Sequence, residues 1–218
     1  MQATLNPKLA EILGRVPVVP VLTVDAPEQA VLLAQALVDG GLNVLEITLR
    51  TPTAMAAMRS IARKVPGAIV GAGTVLDPEQ ANDAMAAGAR FLVSPGMTPR
   101  LLEAARGWTI PFLPGAATAS EAMALADLGY RVLKFFPAEP AGGAAALRAL
   151  AAPLPDLFFC PTGGIDAVKA KTYLALSNVI CVGGSWVAPA LLVANRDWDA
   201  ITGLARDALA LRPQTAGG

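Results

Sequence analysis

The chain contains no histidine. That excludes a Ser-His-Asp triad, imidazole acid–base chemistry and every histidine-ligated zinc or iron site. Cysteine is scarce as well. Cys160 and Cys181 each sit in an apolar run and lie far apart in sequence, so buried reduced thiols are expected, not a disulfide or a metal pair. Charge is sparse and balanced: 16% of residues are charged, 17 of each sign, for a formal net of zero. No basic stripe and no aromatic–basic interleaving is present, so nucleic acid is not an expected partner. The opening Met1–Arg15 lacks the apolar core of a signal peptide, and no later run is long enough for a membrane helix. A soluble, cytoplasmic protein is expected.

What the chain does have is apolar residues, 54% of 218, enough for one large core. Their arrangement repeats. After a short lead-in helix over Leu5–Gly14, an apolar strand-like run, a polar or Gly/Pro break and an Ala/Leu-rich helical run recur about every two dozen residues. The strand-like runs are 18–24, 43–50, 68–75, 91–95, 111–118, 131–138, 157–164 and 179–186. Asp25 is a candidate cap for the first helix (27–39), Ser120 and Glu121 open the fifth (120–128), and the tail after Arg212 is expected to fray. Strand alternating with helix predicts parallel strands joined by right-handed crossovers, and eight units predict an α/β fold of the (β/α)8 TIM-barrel class. An open doubly wound sheet is disfavoured because Leu22–Ala26 has no glycine-rich fingerprint. Residues 1–218 are read as one domain.

Barrel enzymes gather their chemistry at the C-terminal ends of the strands. In the sixth run, Val132, Lys134 and Phe136 share one strand face and Leu133 and Phe135 the other. A lysine in such a run needs either a charged partner or a lowered pKa, and an uncharged amine is a nucleophile that condenses with carbonyls. In the second run, Glu46, Thr48 and Arg50 alternate with Leu45, Ile47 and Leu49, which points the polar set into the barrel. A purely structural ion pair between Glu46 and Lys134 or Arg50 is the competing reading. Thr74 follows the small residues Gly71-Ala72-Gly73, where a ligand could approach the backbone, and Ser94-Pro95-Gly96 reads as a rigid strand-to-helix turn. The last two strands end Thr162-Gly163-Gly164 and Gly183-Gly184-Ser185, the position and chemistry of a phosphate cradle. Trp186 beside them reads as packing. An amine, a carboxylate, a cation, hydroxyls and an anion cradle together suit carbon–carbon cleavage of a phosphorylated keto acid.

The segments Glu46-Ile47-Thr48-Leu49-Arg50, Gly71-Ala72-Gly73-Thr74-Val75, Val93-Ser94-Pro95-Gly96, Lys134-Phe135-Phe136-Pro137-Ala138, Thr162-Gly163-Gly164-Ile165 and Gly183-Gly184-Ser185-Trp186-Val187, in this order and spacing, resemble the 2-keto-3-deoxy-6-phosphogluconate (KDPG) and 4-hydroxy-2-oxoglutarate aldolases. The likeness runs from about Pro17 to Leu209. It implies a metal-free class I aldolase of the Entner–Doudoroff pathway, without cofactor, that splits the phosphorylated keto acid into pyruvate and glyceraldehyde 3-phosphate. It further implies Lys134 as the Schiff-base lysine and Glu46 as the proton-transfer residue. Arg50 and Thr74 would hold the pyruvate carboxylate, and Pro95 and Phe136 would line the pyruvate side. Thr162 would be the distal hydroxyl contact, with Gly163, Gly164, Gly184 and Ser185 as phosphate contacts. A homotrimer is the implied assembly.

The segment from Asp166 to Thr172 lacks the asparagine that usually follows TGG[IV] in the family. The related phosphogalactonate aldolases tend to carry asparagine at position 50 and isoleucine at position 135. Arg50 and Phe135 therefore favour the gluconate branch. Two other readings compete: a phosphate-binding isomerase or epimerase with no covalent step, and a non-catalytic barrel that binds a phosphorylated metabolite or serves as a scaffold.

Overall fold

The computed structural model describes residues 2–212, with side chains from Pro7 onward. The tail after Arg212 lies outside the described residues. Helix α1 (Gln2–Leu13) leads into β1 (Val18–Leu22) and α2 (Pro27–Asp39). There follow β2 (Val44–Thr48) with α3 (Ala54–Lys64), β3 (Ile69–Gly73) with α4 (Pro78–Ala86), and β4 (Phe91–Val93) with α5 (Pro99–Ala105). The fifth run divides into β5 (Phe112–Leu113) and β6 (Gly115–Ala116), followed by α6 (Ala119–Asp127). Then come β7 (Val132–Phe135) with α7 (Gly143–Ala151), β8 (Phe158–Pro161) with α8 (Ala167–Leu174), β9 (Val182–Gly184), a short α9 (Ala190–Ala194) and α10 (Trp198–Leu209).

The strands form two parallel sheets, ordered β5-β4-β3-β2-β1-β9 and β6-β7-β8. Pro114 makes the first seam, since proline has no N–H for the ladder. Its carbonyl still accepts from the Lys134 N–H at 2.9 Å, so β7 remains tied to the fifth run. At the second seam, bridges between Phe159 and Val179 and between Thr162 and Gly183 join the β8 run to the β9 run. The eight expected strand positions thus close on themselves, in sequence order, as a (β/α)8 barrel. In that ring the second and sixth positions, β2 and β7, face each other across the lumen. Leu45 and Ile47 of β2 and Leu133 and Phe135 of β7 turn outward and are fully buried under the helices. Phe135 meets the Phe159 ring edge-on, with centroids 6.4 Å apart.

Local chemistry explains the helix starts, with two corrections. Asp25 does not cap α2. The N-cap is Ala26, which makes no side-chain bond, and the preset φ of Pro27 in the first turn starts the helix instead. Helix α6 opens at Thr118, not Ser120. The Thr118 hydroxyl accepts from the Glu121 N–H while the Glu121 carboxylate accepts from the Ala117 and Thr118 N–H groups, a reciprocal cap. Helix α9 was not expected from sequence; its five residues are too few to display a periodicity.

The bond from the Ala117 N–H, helped by those from Thr118, holds the Glu121 carboxyl below its ordinary value. Ionised Glu121 therefore stabilises the fold above the unfolded carboxyl pKa, and that contribution disappears as pH falls through the lowered folded value. Glu121→Gln keeps an acceptor and loses the charge. Denaturant titration should find the variant less stable at neutral pH and indistinguishable from the parent at strongly acid pH. A gap that does not change with pH would contradict the charge contribution.

Candidate active site

Lys134 and Glu46 meet inside the lumen. Lys134 Nζ lies 3.1 Å from Glu46 Oε1 and 3.5 Å from Oε2, and the two residues are 5% and 4% exposed. Position in the ring brings them together, as each is on an inward-facing residue of opposed strands. Space for the carboxylate comes from Gly73, where a Cβ would overlap Glu46 Oε1. The bareness of the Gly71–Gly73 stretch was expected to admit a ligand to the backbone. Instead the Phe91 ring fills the room at Gly71 and the Glu46 carboxylate fills it at Gly73. The ring of Phe136, next on the same face of the strand as Lys134, has its centroid 5.6 Å from Nζ.

Toward the strand ends, where Arg50 and Phe136 stand, is a cavity of about 290 Å³, lined by Thr23, Arg50, Phe136, Thr162, Gly163, Gly164, Gly184 and Ser185, with Val21, Ile165 and Gly183. Arg50 is exposed just past the end of β2 and makes no ion pair among the described residues, so its guanidinium is available to an anion. Thr162 is 8% exposed, and its Oγ1 is buried without a hydrogen-bond partner among the described residues. An unpaired buried hydroxyl costs free energy unless something supplies a partner. A water or a ligand in the cavity it lines can supply that partner.

Seven of the expected site residues therefore surround one cavity. Lys134 and Glu46 are not in its lining; Phe136, which is, has its ring centroid 5.6 Å from Lys134 Nζ and links the pair to it. Thr74 and Pro95 do not line it. Both are half-buried on neighbouring strand ends: Thr74 follows Gly73, and the Pro95 backbone presses on Gly115, the register partner of Lys134. A larger cavity of about 500 Å³ shares Thr23 and Ser185 and continues toward α9, but Asp25 is its charged residue and no cation lines it. An anionic substrate is suited to the smaller space.

Sequence reading missed Thr23, at the end of β1. Its hydroxyl is 2.9 Å from that of Thr48, which holds it at the cavity wall. The strand-end rule that found the other residues applies to it equally; it was passed over because no glycine or charge marks it. The two cysteines, distant in sequence, are neighbours in space. Both are buried and reduced, with Sγ atoms 3.5 Å apart. The hydrogen bond to Cys160, with burial, pushes the Cys181 thiol well up, so it stays protonated and does not compete with the amine as a nucleophile. The missing asparagine after TGG[IV] costs the next helix nothing, because Asp166 Oδ1 caps α8 by accepting from the N–H groups of Val168 and Lys169.

Comparison with known proteins agrees with this geometry. The family described as "Aldolase: KDPG and KHG aldolase" matches residues 9–204. The 2-dehydro-3-deoxy-phosphogluconate aldolase of Dickeya dadantii is 54% identical over 200 residues, covering 92% of this chain and 94% of that protein. The crystal structure of the Legionella pneumophila KDPG aldolase, with pyruvate captured as a covalent carbinolamine, superposes with a TM-score of 0.89 at 44% identity over 92% of this chain and 97% of the other. The Zymomonas mobilis enzyme with 3-phosphoglycerate gives a TM-score of 0.90 at 44% identity over 98% and 100%. With the matched family spanning most of its length and a relative 54% identical over 92% of it, the chain belongs to the KDPG and KHG aldolase family.

Proposed function

We propose that this protein is a Schiff-base aldolase that cleaves 2-dehydro-3-deoxy-6-phosphogluconate to pyruvate and glyceraldehyde 3-phosphate, and that it also accepts 4-hydroxy-2-oxoglutarate. The observation that carries the reading is the buried Lys134–Glu46 contact of 3.1 Å, linked through Phe136 to a cavity lined by Arg50, which makes no ion pair among the described residues. Lys134 gives its proton to Glu46 and attacks the C2 ketone. The carbinolamine hydroxyl then leaves as water with the proton held by Glu46, which returns Glu46 to the carboxylate and gives an iminium, the electron sink. Glu46, directly or through a water, takes the proton from the C4 hydroxyl as the C3–C4 bond breaks. The aldehyde departs, and the enamine left on Lys134 accepts a proton at C3. Hydrolysis of the iminium frees pyruvate and restores the amine. No metal or cofactor enters these steps.

Arg50 binds the keto-acid carboxylate, with the Thr74 hydroxyl assisting from the next strand. Phe136 and Pro95 give the apolar side of the pyruvate half. Thr162 supplies its unpaired hydroxyl to the distal part of the substrate, and Gly163, Gly164, Gly184 and Ser185 take the phosphate. Arg50 and Phe135 favour the gluconate over the galactonate series. We read the chain as one domain over residues 1–218 that works in the cytoplasm as a homotrimer; sedimentation at micromolar protein tests the assembly, and a monomer would refute it.

Borohydride reduction in the presence of pyruvate tests the reading. A covalent mass increase is expected on the peptide holding Lys134 and is lost in Lys134→Ala. Absence of an adduct at saturating pyruvate would overturn it. Glu46→Gln should still form the adduct while turnover falls by roughly 10²–10⁴-fold, the usual worth of a positioned acid–base group; unchanged turnover would remove Glu46 from its role. Ser185→Ala should raise KM for the phosphorylated substrate and leave that for 4-hydroxy-2-oxoglutarate nearly unchanged. An equal rise on both would place the phosphate elsewhere.

A further inference from the structure

The Gly163–Gly164 turn has no side chains of its own to hold it. Both residues have left-handed backbones, with φ of +110° and +77°. Glycine is the residue with most conformational freedom to lose there, so partners must impose the turn's geometry. The partners come from outside the cavity. The Glu139 N–H donates to the Gly163 carbonyl at 3.1 Å, and the Ala138 N–H to that of Thr162 at 2.9 Å. Lys169 Nζ donates to the Gly164 carbonyl at 3.0 Å and pairs with Glu139 Oε2 at 2.9 Å. The Tyr173 hydroxyl donates to Glu139 Oε1 at 2.5 Å. Gly164 packs so tightly on the Glu139 side chain that a Cβ would lie 2.9 Å from its Cγ.

Lys169 and Tyr173 are four residues apart on α8 and so present to one side of that helix. Glu139 thus uses both carboxylate oxygens and its backbone to clamp the segment after β7, the turn after β8 and the first turns of α8. The Tyr173 bond, then the Lys169 bond, hold the Glu139 carboxyl below its ordinary value, so the clamp is ionised at neutral pH. Lys169 and Glu139 are 45% and 31% exposed. An ion pair that open to solvent contributes little to global stability. Its structural consequence is local: it fixes where two cavity-lining residues stand.

We propose that Glu139, Lys169 and Tyr173 are positioning residues for the phosphate-side wall, setting KM for phosphorylated keto acids through the Gly163–Gly164 turn without touching substrate. The proposal rests on the aldolase reading above for its substrates. Two variants test it. Lys169→Met removes the bond to Gly164 and the ion pair, whereas Tyr173→Phe keeps the ring and removes only the hydroxyl. In each, KM for the phosphorylated substrate should rise about tenfold, the size of one lost charge-assisted hydrogen bond. With 4-hydroxy-2-oxoglutarate, kcat and KM should remain within about twofold, because binding differences of that size fall below one weak hydrogen bond. Competitive inhibition by inorganic phosphate should weaken by the same factor as the phosphorylated substrate, and Lys169→Arg should restore much of it.

Equal KM losses on both substrates, or unchanged inhibition by phosphate, would overturn the proposal. Pyruvate trapping on the same variants separates the two readings. Normal labelling of Lys134 with unaltered phosphate affinity sinks the positioning role alone. If even the parent gives no adduct, the aldolase reading fails, and calorimetry with inorganic phosphate on parent and variants still decides whether the clamp shapes an anion site. Should Lys169→Met not fold, Tyr173→Phe carries the same comparison.

Discussion

Taking an ammonium and a carboxylate out of water costs several kcal/mol for each ion, and their mutual attraction offsets this only with good geometry. Lys134 and Glu46 meet that condition at 3.1 Å, and the lumen around them has been shaped to allow it. Replacing such a pair with packed aliphatic side chains is commonly neutral or stabilising. As the one buried ion pair among the described residues, it is therefore explained by chemistry more readily than by stability. The structural ion pair weighed in the sequence and the reactive pair are the same contact; what distinguishes them is the cavity toward the strand ends.

That cavity follows from the ring. Opposed strands place the amine and carboxylate across the lumen, and glycine at position 73 leaves the carboxylate its volume. Toward the mouth Thr48 and then Arg50, past the end of β2, follow Glu46, and Phe136 follows Lys134, while the last two strand ends contribute Thr162 to Gly164 and Gly184 with Ser185. The 500 Å³ cavity beside it is roomier but no cation lines it, so of these two neighbours the smaller is the one suited to an anion.

The alternation of Glu46, Thr48 and Arg50 with Leu45 and Ile47 was legible because a strand has a strict two-residue period, and so was the placing of Lys134 beside Phe136 on one face. The eight strand–helix units were legible for the same kind of reason: apolar runs cut by glycine and proline. Contacts made by folding alone were not legible. Nothing local announces that Cys160 and Cys181 are adjacent, that Pro114 splits a strand, or that Glu139 reaches Lys169 and Tyr173 across a helix. The Asp25 cap failed because the N-cap position before Pro27 is Ala26 and Asp25 stands one residue too early, whereas Asp77, directly before Pro78, does cap its helix.

In the proposed mechanism Lys134 forms the iminium while Glu46 moves the proton. Exchange of the pyruvate methyl hydrogens with D₂O, followed by proton NMR with no aldehyde present, separates these roles. The account predicts steady loss of the methyl signal with the parent, none with Lys134→Ala, and near-complete arrest with Glu46→Gln under conditions where that variant is fully converted to the pyruvate adduct. Rapid exchange by Glu46→Gln would contradict it.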